Sequence, residues 1–199
     1  MRCIRNILIA IFILLFAVFV TRLLHIASVV GASKAATVEF TSSKKTSEDV
    51  SREIGLITKH LSRRYHVNAL FVEHVVMVTY QVAERTRTDP ILLLAIISTE
   101  SAFNVNAEGS QGEIGLMQIH PRYQAQMIVE LGGEAALWDP DINILAGARI
   151  LRRAQLRYGN TLKALEHYNG DAGAYAPRVV QRYFEIQGAI HGKLTGKRH

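Results

Sequence analysis

A single glutamate, Glu100, stands where the chain gathers the conditions for acid catalysis. It closes a helix-forming segment that opens at Asp89-Pro90 and holds seven consecutive apolar residues, Ile91 to Ile97. A helix apolar on all sides is wrapped by protein, so its terminal carboxyl is predicted at the edge of a core, beside the Gly-, Asn- and Ser-rich stretch 104–115. Burial disfavours the carboxylate, and the negative end of the helix dipole disfavours it further. Both effects raise the pKa. A carboxylic acid that keeps its proton near neutral pH is what a glycosidase uses to protonate a departing sugar oxygen. Most glutamates at helix ends merely face water, so the wider pattern has to decide.

Other chemistries find less support. His60, His66, His74, His120 and His167 lack ligand spacing, such as two histidines one helical turn apart with a glutamate, so no metal centre is expected. Cys3 is the only cysteine, which excludes an intramolecular disulfide and leaves the fold to packing alone. Formal charge is +6, but Arg2, Arg5, Arg22 and Lys34 precede the first acidic residue, Glu39, and supply four of those charges. The remainder is mildly basic and lacks the dense cationic face of a nucleic-acid binder.

The elements that must position Glu100 are helical, and no long stretch alternates with a strand period. Helix signals begin at Ser47, with Glu48 and Asp49 in the first turn and Val50, Ile54, Ile57 and Leu61 on one face. A second helix is predicted over Ala69 to Arg85, and a third from the Asp89 cap to about Thr99. Leu116 to Met127 is expected to resume as helix, interrupted near His120 and Pro121. Asp139-Pro140 starts another, stopped at Gly159, and two more are expected at Thr161 to His167 and about Pro177 to Gln187. The fold class is therefore all-α. Ahead of it, Ile7 to Val20 form an unbroken apolar run behind Arg2 and Arg5, and a weaker run continues from Leu23 to Val30. This reads as an export signal, with a cleavage-like site after Ala35, or as an inner-membrane anchor. Either places the remainder outside the cytoplasm, in the periplasm. The expected organisation is a membrane segment at 1–36, a linker at 37–47, a helical extension at 48–68, the main domain at 69–190 and a basic tail at 191–199 that aids solubility.

Four ordered blocks supply the wider pattern: Glu100-Ser101-Ala102-Phe103-Asn104; Gly112-Glu113-Ile114-Gly115-Leu116-Met117-Gln118-Ile119 with Pro121; Trp138-Asp139-Pro140 with Asn143, Ala146 and Gly147; and Tyr168-Asn169-Gly170. Over about 70–183 the chain closely resembles the soluble lytic transglycosylases, whose fold is a lysozyme-like helical domain. The resemblance implies that Glu100 is the sole acid and base. It implies that Gln118 lines the saccharide groove, that the Tyr168 hydroxyl approaches the reacting sugar, and that Asn169 supports that corner. Met117 is expected in the core first and the groove second. Val105 stands where the family usually has Pro, Glu113 where it has a small residue, and Gly109 where it has Ser, a role the adjacent Ser110 is placed to take in binding substrate.

The implied substrate is peptidoglycan, cut without metal or organic cofactor to leave a 1,6-anhydro end on N-acetylmuramic acid. Two rivals stay open. One is a muramidase that uses water, with Glu113, Glu108 or Asp171 as the second carboxylate. The other is a peptidoglycan-binding assembly scaffold without turnover. Wall turnover and local opening of the wall for a secretion or conjugation machine fit the residues equally.

Overall fold

The computed structural model describes residues 46–170 and 173–192. Among them the regular structure is seven α-helices and two short 3-10 turns, with no strand. The predicted membrane segment at 7–30 and the basic tail from Lys193 lie outside the described residues, as does the linker up to Lys45. No helix among the described residues is long and apolar enough to cross a membrane.

Helix α1, Ser47–Tyr65, is entered through a capping box in which Thr46 and Asp49 satisfy each other's backbone N–H groups. Expected as an extension, it buries Ile57 and Leu61 in the common core and packs on α2, Ala69–Thr86, and on the last helix, α7, Tyr175–His191. Helix α3, Pro90–Glu100, is the central element, and every residue from Ile91 to Ser98 is buried. Its most extensive packing is against α7. Asp89 caps it, accepting from the backbone N–H groups of Ile91 at 2.8 Å and Leu92 at 3.4 Å. Pro90 takes the first helical position, where the missing N–H would have no partner in any case. Asp139 and Pro140 repeat the device at the start of α5, Pro140–Tyr158, and Gly159 ends that helix in the left-handed region. Helix α6, Thr161–Asn169, lies against both α5 and α7.

One expectation fails. Leu116 to Gln118 form a turn, Ile119 pairs with Ile114 in an isolated antiparallel bridge, a 3-10 turn covers Pro121–Gln124, and only Ala125–Glu130, α4, is α-helical. The apolar residues are buried as their spacing implied, but Gly115 at φ +76° and Gln118 at φ +47° reverse the chain and its carbonyls bond elsewhere. The organiser is Asn143 on α5, which is fully buried. Its amide donates to the carbonyls of Ile114 and Leu137, each at 2.8 Å, and accepts from the Met117 N–H at 2.8 Å. Three backbone groups, from the loop and from the turn before α5, are thus satisfied by one side chain.

Candidate active site

Glu100 is the last residue of α3, and its carboxyl is half-buried where α3, the loop 101–119, α6 and the start of α7 meet. The Tyr175 hydroxyl donates to Oε1 at 2.6 Å. Burial pushes the Glu100 pKa up to about 7, opposed by hydrogen bonds from Tyr175 and Asn169 and by the Arg178 charge, and reinforced by the nearby Glu113 carboxylate. Burial thus outweighs three effects that favour the anion. The carboxyl is poised between acid and base at neutral pH, which suits a group that must first give and then take a proton.

Two tyrosines form the wall beside it. The rings of Tyr168 and Tyr175 lie parallel, with centroids 6.4 Å apart. Burial and the Glu100 charge raise the pKa of both phenols, so both remain hydrogen donors. Tyr168 donates to the Met117 carbonyl at 3.1 Å, which ties α6 to the loop. Gly147 makes this approach possible: a Cβ there would overlap the Met117 sulfur and come within 2.9 Å of the Tyr168 oxygen.

The loop is held under strain. Ala102 and Phe103, two and three residues after Glu100, and Gln118 all have positive φ, a conformation that costs a non-glycine residue about 1–2 kcal/mol. Compensation is visible at each end. Phe103 is buried with its ring 5.4 Å from that of Tyr65. Gln118 donates to the carbonyls of Ala107 at 3.1 Å and Gly115 at 2.9 Å. Its side-chain oxygen, together with the Glu113 carboxyl, crowds the space a Cβ would need at Gly109. A serine at 109 would displace both groups, so Gly109 and Glu113 are matched departures.

The predicted residues are thus distributed unevenly. Glu100, Tyr168 and Asn169 come together; Met117 belongs to the core and meets the group through its carbonyl. The amide nitrogen of Gln118 is spent on its own loop. Ser110 is exposed and makes no hydrogen bond with any of them. Glu113 is close enough to act electrostatically on Glu100, and its Oε2 accepts from the Gln111 N–H at 3.0 Å. Glu108 is exposed, and Asp171 lies outside the described residues. Sequence reasoning missed Tyr175, whose hydroxyl donates to Glu100 at 2.6 Å. An aromatic at the head of the last helix was its only signal.

This is a helical domain built around one acid at the end of its most deeply buried helix. The chain belongs to the Transglycosylase SLT domain family, whose sequence model matches residues 77–187, more than half of the chain. The resemblance read from the four blocks is therefore borne out. The chain is 35% identical over 82 residues to the transglycosylase of Enterobacteria phage PRD1, covering 41% of this chain and 29% of that protein. It is 30% identical over 135 residues to membrane-bound lytic murein transglycosylase C of Yersinia pestis, covering 61% and 36%. With the protein of that name from Serratia proteamaculans it shares 28% identity over 157 residues, covering 72% and 42%. The chain spans less than half the length of each of these relatives.

Proposed function

We propose that the chain is a lytic transglycosylase that cuts the β-1,4 bond between N-acetylmuramic acid and N-acetylglucosamine in peptidoglycan, with Glu100 as the only acid and base. The observation that carries this reading is a half-buried carboxyl whose pKa burial pushes up to about 7 against hydrogen bonds from Tyr175 and Asn169. Membership of the Transglycosylase SLT domain family supports it.

Ordinary glycosidases use two carboxylates about 5–9.5 Å apart; here the substrate supplies the second function. Glu100 gives its proton to the glycosidic oxygen as the C1–O bond breaks. The substrate's N-acetyl group stabilises the cationic C1. The carboxylate then takes the proton from the 6-hydroxyl of the same sugar while that oxygen bonds to C1, which restores the acid and leaves a 1,6-anhydro end. The nucleophile is already part of the bound sugar, so little entropy is lost in bringing it up. Tyr168 and Asn169 are assigned to the reacting sugar, and Gln118, Met117 and Ser110 to the groove wall. Since the Gln118 N–H groups serve the loop, its contact with a sugar falls to its oxygen.

The enzyme is assigned to the periplasm, exported or held at the inner membrane through 7–30, where it remodels the wall or opens it locally for a machine that crosses it. The murein transglycosylases it resembles are named as membrane-bound. A second reading, hydrolysis, rests on the Glu113 carboxylate acting on Glu100. Mass spectrometry of sugars released from purified sacculi separates the two: the anhydro product lacks the mass of one water that a hydrolytic product contains. Release of anhydro ends by the parent and none by Glu100→Gln is the expected result. Binding of sacculi by both with turnover by neither would identify a scaffold.

A further inference from the structure

Arg178 is exposed on α7, one turn beyond Tyr175. Residues three apart on a helix are neighbours on its surface, with about 5–6 Å between Cβ atoms, and the Tyr175 hydroxyl bonds Glu100 at 2.6 Å. The guanidinium is thereby set beside the acid, and its charge acts on both Glu100 and Tyr175. No ion pair holds it there: among the described residues the pairs are Arg52–Asp49, His74–Asp141 and Arg182–Glu185.

The helix itself does not account for this cation. Its neighbours one turn away are Ala174, Tyr175, Gln181 and Arg182, none of them acidic. Arg182 takes the nearby carboxylate, Glu185, for itself at 2.8 and 3.1 Å. Arg178 also stands at the start of α7, where the helix dipole disfavours positive charge and no acidic residue in the first turn offsets it. Nor is Glu100 its counter-ion when substrate arrives, since the acid then holds its proton. A cation kept against the dipole, without a partner and beside the acid, fits an anion carried by the substrate. N-acetylmuramic acid has one to offer: the glycan's hydroxyl and N-acetyl groups do not ionise, whereas the lactyl ether on the sugar to be cut ends in a carboxyl. In bare strands that carboxyl is free; in peptide-bearing strands it is an amide, and the nearest carboxylates are those of the peptide. A guanidinium binds either through its planar fork. A carboxylate arriving here also meets the Glu113 charge, which acts on Glu100, and Arg178 offsets that repulsion.

We propose that Arg178 is a substrate-recognition residue that binds a carboxylate on the muramic-acid residue lying beside Glu100, either the free lactyl carboxylate of a bare strand or a carboxylate of the attached peptide. The assignment rests on the transglycosylase reading and adds the anionic group by which the site selects its substrate. The test uses the full chain and four soluble substrates: bare and peptide-bearing glycan strands, each with its carboxylates intact or converted to neutral methylamides. At pH 6 a substrate carboxylate is ionised while Glu100 still holds its proton, so any influence of Arg178 on the acid is largely removed from the comparison. Arg178→Gln should raise KM about fivefold on strands with carboxylates, the upper worth of an exposed ion pair, and leave KM unchanged on the methylamides. Arg178→Lys should recover part of the loss. A carboxylate dependence in bare strands assigns the lactyl group as the ligand; one confined to peptide-bearing strands assigns the peptide. An equal change on charged and neutral strands, which would mean that Arg178 acts through Glu100 alone, overturns the proposal, as does no change on any of the four. Affinities of Glu100→Gln and Glu100→Gln/Arg178→Gln for the same strands repeat the comparison without turnover. A parent that releases no anhydro ends sinks the transglycosylase reading, while a carboxylate-dependent loss of affinity in the double variant would still uphold the role of Arg178.

Discussion

Two carboxylate–tyrosine pairs join the same two helices, α3 and α7, at opposite ends of α3. At the N-terminal end, Asp89 Oδ2 accepts from the Tyr183 hydroxyl at 3.0 Å while Oδ1 receives two backbone N–H groups. At the C-terminal end, Glu100 Oε1 accepts from the Tyr175 hydroxyl at 2.6 Å. Residue chemistry is nearly the same in the two pairs, and the consequences differ. Asp89 sits where the helix dipole is positive and unpaired backbone donors converge, so its carboxylate is fully engaged as a cap. Glu100 sits where the dipole is negative and is held by the side chains of Tyr175 and Asn169 instead of a helix's first N–H groups, and burial raises its pKa in spite of them. A tyrosine beside an acid does not by itself make a catalytic site; the helix end to which the acid is attached decides what the pair does.

The largest test of that contrast is Glu100→Gln, which should lower the rate of sacculus cleavage by about 10²–10⁴-fold, the usual worth of a positioned acid–base group. The parent's kcat/KM should fall as pH rises through about 7, where Glu100 loses its proton. A flat profile from pH 5 to 9 would remove Glu100 as the acid. The substitution should move stability the opposite way from rate. The folded-state pKa of Glu100 is raised from 4.5 to about 7, so below pH 4.5 both states hold the proton and the group costs nothing. Between 4.5 and 7 the unfolded chain ionises first and stability is lost; above 7 the full cost is present. Each unit is worth about 1.4 kcal/mol, so Glu100→Gln should be more stable than the parent by up to about 3 kcal/mol at pH 8. Solvent reaching the half-buried carboxyl reduces that figure. At pH 4 the two should match in urea unfolding, and equal stabilities at pH 8 would show that burial is not straining the acid.

Next in size is Tyr175→Phe, which removes the donor that favours the Glu100 anion and holds the carboxyl in one orientation. Loss of one hydrogen bond to a charged group, about 1.5 kcal/mol, corresponds to roughly a tenfold fall in kcat. The alkaline limb of the pH profile should also move upward, because the variant holds its proton more tightly. A fall in rate with an unmoved limb would make Tyr175 a packing residue only.

How much of this could be read from the chain depends on the distance over which each feature is decided. Asp89-Pro90 and Asp139-Pro140 announce their helices locally, since cap and first turn are adjacent in sequence. The unbroken run Ile91 to Ile97 announces full burial, and with it the position of Glu100 at a core edge. Leu116 to Ile119 misled because the buried side chains fit a helix while the backbone is claimed by Asn143, more than twenty residues away. Tyr175 was invisible for the same reason: its partner is 75 residues earlier, and no periodicity encodes that meeting. Gly109 and Glu113 read separately as departures from the family pattern, whereas in space they are one adjustment, since the glutamate occupies the volume a serine would need.

The smallest effect belongs to the mirror variant, Tyr183→Phe. It deletes one donor to Asp89 but leaves the two backbone N–H groups of the cap in place. The Tyr183 hydroxyl also accepts from Gln187 Nε2 at 3.3 Å, a long and replaceable contact. The expected cost is about 1 kcal/mol of stability, one ordinary hydrogen bond. Cleavage rate and pH profile should match the parent, because the proposed reaction draws no proton from this end of α3. Measured beside Tyr175→Phe, the pair makes a sharp comparison: two tyrosines eight residues apart on α7, one moving the pH profile and the other only the unfolding midpoint. Were Tyr183→Phe to shift the alkaline limb as well, the two ends of α3 would be electrostatically coupled through the helix, and position at the C-terminal end would no longer support the assignment of Glu100 alone as the acid.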